Sequence, residues 1–194
     1  MKRALLVVDV QESFRARDSW RIISNPDIVA RVNALVAHAR AEGEPVVWVL
    51  HTEPGTGNVF DPPLGHVRPI EGLAVEDTDP VLYKTSHNAF TTTGLQRLLT
   101  EHGIAEVLVC GIRSEQCCET TARVASDLGY AVTYVADATA THPIPHPEAP
   151  AGQSIEELLA DPRTLHPEQI LERTTYALAG RFATIATVAT LTGS

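Results

Sequence analysis

The stretch AEVLVCGIRSEQCCETTARVASDLGYAVTYVAD, residues 105–137, runs from one short apolar segment through an amphipathic one to a second apolar segment. AEVLVCGI (105–112) and AVTYVAD (131–137) have the Val-rich composition of strands buried on both faces of a parallel sheet. Between them, SEQCCETTARVASDLG (114–129) opens on a capping-type serine and closes on a glycine, which is how helices start and stop. A strand, a helix and a parallel strand joined in this order form a right-handed crossover that lays the helix on one face of the sheet.

The same alternation extends outward. ALLVVDV (4–10), PVVWVL (45–50) and VLYK (81–84) are further strand candidates. NPDIVARVNALVAHARAEG (25–43) carries Ile28, Val32, Leu35, Val36 and Ala39 at helical spacing, with Asn25 to cap it and Gly43 to end it. TTTGLQRLLTEHG (91–103) is a third helix ending in glycine, and the tail from Glu168 predicts a helix, a short strand around Phe182–Ala186 and a terminal helical turn. Strand and helix alternate throughout, so the class is α/β: an open parallel sheet with helices on both faces, a three-layer sandwich. In such sheets the ligand site lies beyond the carboxyl ends of the strands, at the switch point.

The 194 residues, 44% of them hydrophobic, suit one domain spanning 1–194. Twenty-four acids against 15 Lys and Arg give a net charge of −9 without basic blocks, which argues against nucleic-acid and anionic-membrane partners. No apolar run is long enough to span a bilayer, and the apolar start breaks at Asp9 without a cleavage site, so a cytoplasmic protein is expected. Cys110, Cys117 and Cys118 form no disulfide framework and are read as reduced thiols. Two Pro/Gly-rich connections, 51–80 and 140–154, exceed mere turns and are expected to select the substrate.

Three polar residues stand at strand ends: Asp9, Lys84 and, after the loop that follows the 105–112 strand, Cys117. An ammonium and a helix start both favour a thiolate, a carboxylate can take and return a proton, and a tight turn supplies N–H donors for an oxyanion. Each residue also has a plain reading: Asp as a turn former or cap, Lys as an edge charge, Cys as a small hydrophobe. The residues alone leave both readings open.

DVQESF (9–14), KTSHNAFTTTGL (84–95) and CGIRSEQCCETTARVASDLGY (110–130) resemble, in order and spacing, the signatures of the isochorismatase-like cysteine hydrolase superfamily. The resemblance implies a six-stranded Rossmann-like sheet and hydrolysis of a small amide or carbamoyl C–N bond through an acyl intermediate on Cys117. Asp9 would be general base and acid, and Lys84 would lower the thiol pKa. The oxyanion donors carry over to the backbone N–H groups of Arg113 and Cys117, and a non-proline cis peptide to Ile112–Arg113. Cys118 falls where a small apolar residue is usual and is read as packing, as is Cys110.

Nicotinamidases of this superfamily hold a metal after the second strand, where this chain has His51 and Glu53, with His66 next; the expectation is no metal and no cofactor. Phe14, His51 and Arg113 are candidate substrate contacts, and a homo-oligomer is expected because relatives commonly assemble. The alternatives are an isochorismatase-type ether hydrolase using Asp9 alone, a metal-dependent nicotinamidase-like amidase, and a non-catalytic binding protein on the same fold.

Overall fold

Alternate residues of the first strand, β1 (Lys2–Val8), go to opposite faces: Ala4, Leu6 and Val8 join one apolar cluster, Leu5 and Val7 another. A strand buried on both faces must run through the middle of a sheet that is covered on each side. The computed structural model, which describes residues 2–193, has that architecture. After β1 come α1 (Glu12–Arg15), α2 (Ile28–Ala41), β2 (Val46–His51), β3 (Val81–Lys84), α3 (Leu95–Glu101) and β4 (Ile104–Ile112). Then follow α4 (Glu119–Asp127), β5 (Ala131–Ala140), α5 (Ile155–Ala160), α6 (Pro167–Leu178), β6 (Thr184–Ala186) and α7 (Val188–Thr192).

The six strands pair in parallel in the order β3-β2-β1-β4-β5-β6. Leu95 and Leu99 of α3, Ala122 and Ala125 of α4 and Leu178 of α6 cover one face. Ile28, Val32, Leu35, Val36 and Ala39 of α2, with Val188 of α7, cover the other. The chain fills one side of β1 with β2 and β3 and the opposite side with β4, β5 and β6, so the switch point lies between β1 and β4. There the two strands approach closely. Gly111, paired with Val8, has φ +130°, and a Cβ on it would lie 1.9 Å from the Val8 carbonyl oxygen, so only glycine fits.

Several local expectations change. Asn25 does not cap α2; its amide donates to the carbonyls of Asp137 (2.9 Å) and Thr139 (3.2 Å), tying the loop before α2 to β5. The helix expected from Thr91 starts only at Leu95, because the Thr93 hydroxyl bonds the Ala89 carbonyl at 2.6 Å and accepts from the Leu95 N–H, offering the backbone a local alternative to helix. The last strand begins at Thr184 rather than Phe182, and α1 and α5 are additional. Among the described residues no helix is long and apolar enough to cross a membrane.

Candidate active site

Asp9, Lys84 and Cys117 meet at the carboxyl rim of the sheet. Asp9 follows β1 with φ +54°, a left-handed conformation that costs about 1 kcal/mol and that Asp tolerates better than most residues. The turn it makes aims the carboxylate across the strand ends. β3 is two strands away from β1, roughly 10 Å at ordinary strand spacing. Only a long side chain crosses that gap, and Lys84 does so over the end of β2: its Nζ lies 2.7 Å from Asp9 Oδ2, with both side chains 0% exposed. The ammonium also donates to the Ser86 carbonyl (3.1 Å), and it lies 3.5 Å from Cys117 Sγ and 3.4 Å from His51 Nδ1.

Cys117 sits in a feature the sequence did not disclose. Residues Ser114–Cys118 form a turn of π-helix before α4, in which the Cys118 N–H donates to the Arg113 carbonyl at 3.1 Å. Ser114 does not cap the helix; its hydroxyl donates to Thr139 Oγ1 (2.8 Å), and the Tyr134 hydroxyl donates to the Ser114 carbonyl (3.1 Å), so the turn is pinned to β5. The peptide Ile112–Arg113 is cis. Cys117 retains 8% exposure at the cavity floor, whereas Cys118 and Cys110 are fully buried among apolar side chains. The two neighbouring thiols therefore differ in access, and of the pair Cys117 alone lines the cavity.

The electrostatics correct one expectation. Burial first and the nearby Asp9 charge second push the Cys117 thiol up to about 12; Lys84 lowers it without offsetting either. Asp9 is itself raised by burial, against the opposing pull of Lys84. Its side-chain partners are Lys84 and the thiol. The resting site thus holds a protonated sulfur beside a carboxylate of heightened basicity, rather than a standing thiolate.

His51, at the end of β2, is fixed from both sides. Its Nε2 lies 3.0 Å from Glu53 Oε1, and the other Glu53 oxygen accepts from Asn58 Nδ2 at 2.5 Å. The ammonium of Lys84 faces Nδ1, so the contact suits the tautomer that carries its proton on Nε2 and offers the Nδ1 lone pair to Lys84. Gln11 holds the same strand end, donating to the His51 carbonyl (2.9 Å) and accepting from its N–H (2.7 Å). The Lys84 ammonium stands on the Nδ1 side of His51, so of the ring only Nε2, which meets Glu53, is turned toward an acid. His66 is outside the cavity with its carbonyl bound to the Ser13 hydroxyl, and no three His, Cys, Asp or Glu side chains among the described residues are grouped to hold a metal ion.

The cavity above Cys117 has a volume of about 290 Å³. Of the substrate contacts expected from sequence, Phe14, His51 and Arg113 all line it. Arg113 is not solvent-facing; its Nη2 pairs with Glu115 at 2.7 Å, both side chains being 11% exposed. Loop 51–80 contributes Glu53 and Phe60, the latter edge-on to Phe14 at 5.2 Å, while Asp61 holds that loop through the N–H groups of Gly55 and Gly57. Loop 140–154, expected to share in selection, contributes no lining residue; part of it, from Pro145 to Gln153, surrounds a separate cavity. Gln116 lines the site as part of the turn that follows β4, and Arg17 and His87 line it without having been singled out, since nothing in RARDSW (15–20) sets one arginine apart. A cavity of about 390 Å³ lies at the amino ends of β5 and β6, where no comparable acid, cation and thiol meet.

Known proteins share this arrangement of elements. The family model of the isochorismatase domain matches residues 3–165. The chain is 38% identical to a streptothricin hydrolase of Streptomyces noursei over 147 residues, 74% of this chain but only 56% of that one. It is 33% identical to nicotinamidase 3 of Arabidopsis thaliana over 147 residues, 71% of this chain and 73% of the plant protein. The crystal structure of an isochorismatase from Pseudomonas putida KT2440 superposes with a TM-score of 0.82 at 29% identity, covering 97% of this chain and 89% of that one.

Proposed function

The chain belongs to the isochorismatase family, and we propose that this isochorismatase-family hydrolase cleaves a small amide-type C–N bond through a covalent intermediate on Cys117. The observation that carries the reading is the buried contact of the Asp9 carboxylate, the Lys84 ammonium and the Cys117 thiol on the floor of a ligand-sized cavity. Amide rather than ether hydrolysis is supported by the thiol itself and by the likeness to a nicotinamidase.

The chemistry follows from the proton inventory. As Sγ bonds to the amide carbon, its proton passes to Asp9, and the carbonyl electron pair moves to oxygen. That oxyanion is received by the backbone N–H groups of Arg113 and Cys117. Collapse breaks the C–N bond, and Asp9 returns the proton to the departing nitrogen. Water then attacks the thioester, again losing its proton to Asp9; the C–S bond breaks, sulfur recovers the proton, and the acid leaves. Lys84 stays cationic throughout, so that no step leaves a buried anion without a counter-charge. The raised carboxylate is the proton acceptor beside the sulfur, and transfer concerted with attack needs no standing thiolate.

The test is a panel of primary amides, carbamoyl compounds and cyclic amides assayed for ammonia or amine release, with mass spectrometry of acid-trapped enzyme. An acyl adduct on the peptide containing Cys117 is the expected result. Turnover that persists in Cys117→Ala would instead favour acid–base cleavage by Asp9 alone.

A further inference from the structure

We propose that the substrate of this site carries a carboxylate that docks on Arg17, at the opposite end from the amide that reaches Cys117; this rests on the amide-hydrolase reading above. The charged groups that face the cavity are almost all engaged. Asp9 and Lys84 pair with each other, Arg113 pairs with Glu115, and each Glu53 oxygen already meets a donor, His51 or Asn58. Arg17 is the exception: among the described residues it has no carboxylate within ion-pairing range and no hydrogen-bond acceptor. Its Cζ lies 4.7 Å from the centre of the Phe60 ring, a cation–π contact that orients the guanidinium without using its N–H donors.

Its surroundings strengthen the case. Glu53 attracts Arg17 from a distance, while Arg113 is near enough to repel it, and both arginines disfavour a charge on His142. A planar guanidinium with two free edges matches a carboxylate bidentately. Phe14 and Phe60, edge-on to each other, give the same cavity an aromatic wall that suits a short apolar spacer. At about 290 Å³ the cavity is at the small end of ligand sites. A monoamide of a short dicarboxylic acid has these features; hydrolysis would release a dicarboxylate and ammonia.

Ammonia release from malonamate, succinamate and glutaramate is to be compared with that from the neutral diamides and from cationic β-alaninamide. One monoamide is expected to exceed its diamide in kcat/KM by about tenfold or more, as a charge-assisted bidentate contact gives. Arg17→Gln should bring the monoamide-to-diamide ratio of kcat/KM down toward one, mainly through KM of the monoamide, as a lost uniform-binding contact should; Arg17→Lys restores only part of that ratio. Equal losses on acidic and neutral amides, or a preference for β-alaninamide, would overturn the proposal. If the wild type hydrolyses no amide, the reaction assignment fails, and the anion site is read separately. Succinate or glutarate should then raise the Tm of the wild type and not of Arg17→Gln, and an equal effect on both overturns it.

Discussion

Two buried carboxylates flank the cysteine pair, and they are furnished differently. Glu119, 4% exposed at the start of α4, accepts from Arg123 Nε (3.0 Å) and the Thr174 hydroxyl (3.1 Å), and pairs with Arg173 of α6. Asp9, fully buried, has among the described residues one cation in ion-pairing range, Lys84, which also faces the Cys117 thiol and His51. A carboxylate with more donors than it needs is a clamp between helices. One that shares its only cation with a thiol, and whose pKa is raised, is a place to put a proton. Burial alone does not separate structure from chemistry; the supply of partners does.

The largest effect expected from this contrast is at the sulfur. Cys117→Ala should abolish turnover by at least about a thousandfold with little change in Tm, because the side chain is an attacking group at the edge of the core. Cys118→Ala should keep most of the activity and lose stability instead, since that thiol fills the core beside α4. Kinetics and thermal melts on the two variants separate the roles; similar turnover in both would break the assignment.

Next in size is Asp9. Asp9→Asn should cost about a thousandfold in kcat/KM by removing the proton acceptor. In the wild type, kcat/KM should fall on the acid side through a pKa above the ordinary Asp range, in the direction that burial shifts this group. With the thiol at about 12, its ionisation should impose no alkaline break below roughly pH 10. The sign for stability is opposite: a raised folded pKa contributes stability below the unfolded value, and that contribution is lost as pH rises through the folded one. Holding Asp9 ionised at neutral pH therefore costs stability. An acid limb at the ordinary Asp value would show that the carboxylate is better solvated than its burial implies.

Much of this was legible in the sequence because it depends on periodicity or on strand ends. Val-rich runs located the strands, and the parallel-sheet rule put Asp9, Lys84 and Cys117 on one rim. The π turn was not legible, since SEQCCETT reads as an ordinary helix start until Ser114 is seen bonding Thr139 across to β5. Nor was the thiol's acidity: proximity to Lys84 suggested a thiolate, but the desolvation that outweighs it is a property of the packed rim. Arg17 escaped for a related reason. Its distinction is the lack of an acid partner, which only the folded neighbourhood reveals.

A smaller effect is expected at His51, which the sequence offered as a substrate contact. In the structure both ring nitrogens have partners, Glu53 and Lys84, so the residue acts through the ammonium. His51→Phe preserves the aromatic contact with Phe60, 5.4 Å between ring centres, and removes the lone pair facing Lys84. A loss of about tenfold in kcat, with KM within twofold and a displaced acid limb, is the expected outcome. A change confined to KM would return His51 to the substrate.

The smallest effect on turnover, and the one that tests the contrast most directly, belongs to Glu119→Gln. Its arginine partners are part-exposed, with side chains at 32% for Arg123 and 60% for Arg173, so losing the charge strands no buried cation. The clamp between α4 and α6 weakens by about 1–2 kcal/mol, which for a chain of this size lowers Tm by roughly 2–8 °C. Turnover at a temperature where the variant is folded should stay within about twofold, and the acid limb set by Asp9 should not move, because Glu119 shares no hydrogen-bond or ion-pair partner with the rim. A displaced limb would mean that Glu119 reaches the sulfur through the π turn, and that the two carboxylates form one electrostatic unit instead of a clamp and a proton acceptor.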